Sequence, residues 1–94
     1  MSDLTESHIA MARMIDALFC SELKTGSMPT KQQLAAAIRH SVKTHRNWNG
    51  CTRAVAAAFS ATPQVAIERE QWCHQLAEKA LQAGDIHLDN GWQD

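Results

Sequence analysis

Cys73 and His74 stand side by side, and Cys51, His40 and His45 are the thiol and imidazole groups that could join them around a metal ion. Adjacent positions on a helix point about 100° apart, so Cys73 and His74 cannot easily ligate one ion together. The three cysteines, Cys20, Cys51 and Cys73, are odd in number, widely spaced and without a C-x-x-C, which suggests neither a disulfide framework nor a zinc knuckle. Cys20 and Cys51 fall on apolar stripes, where a thiol is inert, so reduced and mostly buried thiols are expected. Glu68, Glu70, Glu78 and Asp85 are spread along the last third of the chain and offer no preferred carboxylate pair. No glycine-rich phosphate loop, Gly-x-Ser-x-Gly or His-Glu-x-x-His is present. No enzyme, metal or cofactor is expected.

Charge is more informative. The net charge of −1 conceals three blocks: residues 1–22 carry four acids and one base, residues 23–67 six bases and no acid, and residues 68–94 six acids and two bases. Lys31, Arg39 and Lys43, eight and four residues apart on the predicted second helix, are expected to lie roughly along one line, which Arg46 extends, and Arg53 follows close in sequence. One reading is a set of solvated helix faces whose surface pairs contribute about 0–1 kcal/mol each. The other is a basic face that receives an acidic partner, either an acidic protein surface or nucleic-acid phosphate.

The stretch AVAAAFSATPQVAIERE, Ala54 to Glu70, reads as a helix, a very short turn and a second helix. Ala56, Phe59, Thr62 and Pro63 resemble the middle of bacterial helix-turn-helix segments: a small residue packs in the first helix, a bulky apolar residue precedes the turn, and Ser/Thr-Pro opens the recognition helix. The resemblance implies a DNA reader with Gln64 and Gln71 at the base edges. The sequence departs from the pattern with Ser60 where glycine usually makes the turn, and with Glu68 and Glu70 where phosphates would lie.

Trp72 falls on an apolar stripe, whereas Trp48 in RNWNG and Trp92 in NGWQD lie in polar surroundings and are possible anchors for a partner, unless the Trp48 ring folds back to cap a small core. Ile9, Met11 and Met14 widen the apolar surface of the first helix, which leaves room for self-association as a homodimer.

The elements that must position these groups are set by punctuation. A first helix is expected from Ser2 or Asp3 to near Gly26, with Leu4, His8, Met11, Ala12, Ile15, Leu18 and Phe19 inward. Thr30 with Gln33 has capping-box spacing and opens a second helix whose inner face is Leu34, Ile38, Val42 and His45. Asn47, Asn49 and Gly50 are read as the loop that ends it. A third helix from about Cys51 to Ser60 turns Cys51, Ala54, Val55, Ala58 and Phe59 to one side. Thr62-Pro63 starts a fourth, with Val65, Ala66, Arg69, Trp72, Cys73, Leu76, Ala80 and Leu81 inward, and Gly84 stops it. Arg69 within that stripe needs a partner, and Asp16 is the acid proposed.

The expectation is therefore an all-α, compact four-helix domain over residues 1–84, with a helix-turn-helix-like corner between helices three and four and a short, irregular acidic tail over 85–94. The acidic start MSDLTESH and the lack of an apolar run near the ~18 residues of a membrane span point to a cytoplasmic chain. Its expected function is that of a small non-enzymatic binding protein, an inhibitor or regulatory adaptor of the kind phages and plasmids carry. An acidic protein surface would meet Lys31, Arg39, Lys43, Arg46, Trp48 and Arg53. The alternative is a DNA-binding regulator using Gln64 and Gln71.

Overall fold

The computed structural model describes residues 2–83, and the side-chain surroundings from His8 onward. Four helices follow one another: α1 Ser2–Phe19, α2 Lys31–Thr44, α3 Trp48–Ala61 and α4 Pro63–Gln82. No strand occurs among the described residues. α1 is the central element and packs against each of the other three, while α3 also meets α2 and α4.

The core follows from that arrangement. Met14, Ile15, Ala17, Leu18 and Phe19 of α1 bury against Leu34 and Ile38 of α2, Cys51 and Val55 of α3, and Ala66, Trp72, Cys73, Ala77 and Ala80 of α4. The inner face of α1 is rotated from the expected stripe: Met14 is fully buried, whereas His8 and Ala12 are exposed and Met11 is half-buried. Three partner helices surround the C-terminal half of α1, so its apolar face is wider there than a single stripe. In α4 the small Ala77 is buried, while Val65 and Leu81, expected inward, are exposed. Leu4, Gly84 and the 85–94 tail lie outside the residues described at the level those expectations require.

Local chemistry sets the helix starts. At α2 the Thr30 hydroxyl accepts from the Gln33 amide at 3.1 Å, and the Gln33 side chain accepts from the Thr30 amide at 2.9 Å, completing the expected capping box. At α3 the Asn47 side chain accepts from the Gly50 amide at 2.8 Å. That cap moves the start of α3 back to Trp48 and converts most of the expected loop into its first turn. The reversal of direction falls instead on Arg46, at φ 77°. Pro63 occupies the first turn of α4, but the Thr62 hydroxyl supplies no cap; it donates back to the Ala58 carbonyl at 3.3 Å.

α1 ends at Phe19, well short of Gly26. The Ser21 hydroxyl donates to the Leu18 carbonyl at 2.6 Å and accepts from the Leu23 amide, which turns the chain out of the helix. Gly26 serves a later turn, at φ 90°, beside the bond from the Ser27 amide to the Lys24 carbonyl.

Candidate functional site

The basic side chains expected at a partner surface are all exposed: Lys31, Arg39 and Lys43 on α2, Arg46 just beyond it, and Arg53 on α3. They do not form one line. Leu34, Ile38 and Ser41 define the buried side of α2. Arg39 and Lys43, one turn apart, lie roughly opposite it and project to solvent. The eight-residue step from Lys31 to Arg39 turns about 80° around the axis, which carries Lys31 toward α4. There it lines a groove with Leu34 of its own helix and Leu76 and Lys79 of α4. Arg53 stands on the outer side of α3, away from the buried Cys51 and Val55.

Arg46 follows α2 directly, and its left-handed backbone redirects the chain into α3. Its amide donates to the Lys43 carbonyl at 3.2 Å, which keeps the two cations at the same end of α2. Among the described residues the one close contact between a basic and an acidic side chain is His40 Nε2 with Glu22, 3.8 Å apart on the surface. Arg39, Lys43, Arg46 and Arg53 have no acidic partner among the described residues.

Trp48 occupies the first turn of α3 and is half-buried, packed against the core. The packing matches the fold-back that the sequence left open, although the residue lies in a helical turn where a loop was expected. Trp92 lies outside the described residues.

The corner expected to resemble a helix-turn-helix has Thr62 alone between α3 and α4. Gln64, Glu68 and Gln71 are exposed along the first turns of α4, together with Val65 and Ile67. That surface carries no lysine or arginine among its exposed residues. The half-buried Arg69 is turned inward.

Arg69 has a structural task that its neighbours in sequence did not reveal. Its guanidinium donates to the carbonyls of Phe19 at 2.6 Å, Ser21 at 2.9 Å and Leu18 at 3.4 Å, and to the Thr25 hydroxyl at 2.8 Å. It thus closes the C-terminal end of α1, where the helix dipole favours a cation. It also lies over the rings of Phe19 and Trp72, at 5.7 and 5.2 Å. Asp16, the expected partner, instead accepts from the Thr52 hydroxyl at 2.7 Å and ties α1 to α3.

The three cysteines converge between α1, α3 and α4. The Cys20 thiol donates to the Cys51 carbonyl at 3.4 Å, and the Cys51 thiol to the Ser41 carbonyl at 3.7 Å. Burial, then the neighbouring Cys51 and Asp16, push the Cys20 thiol up to about 12. Burial likewise pushes Cys73 up to about 12 against the opposing effect of Arg69, and raises Cys51. Such thiols stay protonated near neutral pH and are poor nucleophiles. No group of three or more His, Cys, Asp or Glu side chains is placed to hold a metal ion among the described residues. No described helix is long and apolar enough to cross a membrane.

No protein-family model, curated protein or solved structure matches the chain.

Proposed function

We propose that this chain is a small non-enzymatic binding protein that acts by occupying an acidic surface of another protein through the solvent side of α2. The observation that carries the reading is the pair Arg39 and Lys43, exposed one turn apart with Arg46 beyond them and no acidic partner among the described residues. Unpaired cations on a rigid helix face steer an acidic partner and fix its orientation. Trp48, half-buried in the first turn of α3 two positions beyond Arg46, adds apolar contact area to the complex. Its role is that of an inhibitor or regulatory adaptor in the cytoplasm, with Lys31 and Arg53 at the flanks.

A second reading, a DNA-binding regulator, rests on the one-residue corner at Thr62. It is the weaker of the two, because Gln64 and Gln71 share their surface with Glu68 and with no exposed cation. Fluorescence anisotropy of a labelled random duplex at two salt concentrations separates the readings, since phosphate binding weakens steeply with salt. The protein reading predicts no micromolar duplex binding at physiological salt. Micromolar binding with a steep salt slope, weakened by Gln64→Ala with Gln71→Ala, would replace it with the DNA reading.

A further inference from the structure

The connection from α1 to α2 leaves a groove of about 700 Å³ against α2. Leu23, Met28 and Pro29 of the connection form one wall, and Ala36 and Ala37 of α2 form the other. The two alanines are too small to fill the space between the walls, and Met28, 82% exposed, stands at the rim. From Gln33 to His40 the groove follows about 10 Å of helix.

The wall opposite α2 is held in place from α4. Arg69 donates to the Ser21 carbonyl and the Thr25 hydroxyl, and the Trp72 indole donates to the Ser27 carbonyl at 3.0 Å. Gln33, at the other side, is fixed by its bond to the Thr30 amide. A preformed concave surface accepts side chains with little ordering cost of its own.

The groove also adjoins the basic side of α2. Ala36 lies about 20° from Lys43 and about 60° from Arg39 around the helix axis, so it belongs to both the groove wall and the basic face. Lys24 adds an exposed cation on the opposite wall, with no acidic partner among the described residues. Glu22, the one acid among the described lining residues, faces His40 Nε2 at 3.8 Å. An apolar channel between unpaired cations is complementary to apolar side chains flanked by carboxylates. We infer that the acidic partner of α2 inserts here two apolar side chains, four positions apart on one short helical segment, with its carboxylates against Lys24 on one side and Arg39 and Lys43 on the other. Side chains so spaced stand about 6 Å apart, within the length of the groove. The inference rests on the proposed function and adds the buried apolar anchor that surface charge alone does not supply.

An NMR titration of the full chain, labelled in its methyl groups and amides, tests the inference. The probe is a helical peptide of about 15 residues, glutamates and alanines around two leucines four positions apart; one counterpart replaces the leucines by alanine, another the glutamates by glutamine. The leucine peptide should shift the Met28, Ala36 and Ala37 methyl signals. Its affinity should exceed that of the alanine peptide about tenfold or more, and should fall about five-fold or more with Met28→Ser and Ala36→Gln, as apolar contact is lost. Both positions are exposed, so this variant keeps the fold and the charge. Equal affinity for the leucine and alanine peptides, or shifts confined to Arg39 and Lys43, would overturn the groove and leave the basic face standing. Leucine-dependent binding that survives Arg39→Glu with Lys43→Glu, or is equal for the glutamine peptide, would overturn the acidic occupant and with it the role of the basic face. No shift with any peptide at millimolar concentration would overturn the inference as well.

Discussion

Arg69, in the second turn of α4, donates from Nε to the carbonyl oxygen of Phe19 at 2.6 Å and so closes the end of a helix 50 positions earlier in the chain. With the Leu18 and Ser21 carbonyls and the Thr25 hydroxyl, it is the most connected side chain described. Arg69→Met keeps much of the side-chain volume but leaves those carbonyls without their charged donor. A loss of about 2–3 kcal/mol is expected in urea unfolding. Arg69→Lys restores only part of it, because an ammonium cannot reproduce the planar fork.

The helix starts differ in how much their side chains contribute. Thr30→Ala and Asn47→Ala each remove a cap present in the structure and should cost about 1 kcal/mol. Thr62→Ala removes no cap and should cost a few tenths at most. Equal losses at all three positions in thermal or urea unfolding would contradict this assignment of the caps.

Gly50 packs directly against the α2 terminus: a Cβ there would land on the His45 carbonyl oxygen, backbone that cannot easily move. Gly50→Ala is therefore expected to destabilise by about 2 kcal/mol or more. Ser41 gives the opposite expectation. It is buried, and its hydroxyl has no hydrogen-bond partner among the described residues, so Ser41→Ala should be neutral or stabilising by about 1 kcal/mol.

The thiols make stability fall at alkaline pH. Folding raises Cys20 and Cys73 from an ordinary value of 9.0 to about 12, so the folded state holds their protons more tightly than the unfolded state does. Their contribution is complete below pH 9 and is lost progressively as pH rises from there toward 12. Urea midpoints from pH 8 to 11 should decline, and Cys20→Ala should shallow the decline. Under native conditions a thiol reagent should modify half-exposed Cys20 first, and fully buried Cys51 and Cys73 only as the protein opens.

What the sequence discloses here depends on the range of the interaction. The Thr30–Gln33 box and the Thr62-Pro63 start are local, and both are legible in the order of residues. Leu34 and Ile38 were also legible, because α2 buries a narrow face. The end of α1 was not, since Gly26 offers a stronger local stop than the Ser21 turn that Arg69 holds from α4. Met14 was misplaced for a related reason: packing against three helices rotates and widens the inner face of α1 beyond one stripe. The Trp48 turn looked like a loop because Asn47, Asn49 and Gly50 are turn formers, yet Asn47 is a cap and Gly50 a close-approach residue. The basic series was legible as charge, but the helical angle separates Lys31 from Arg39 and Lys43.

The central claim is that the solvent side of α2 meets an acidic protein. A photo-crosslinking residue at exposed Ala36, on the same side as Arg39 and Lys43, tests it most directly in the source cells, with the same residue at Gln64 reporting on the α4 surface. The account predicts one protein with an acidic surface crosslinked at Ala36, lost with Arg39→Glu and Lys43→Glu, and no product at Gln64. Nucleic acid captured at Gln64, or an Ala36 product indifferent to charge reversal, would contradict it.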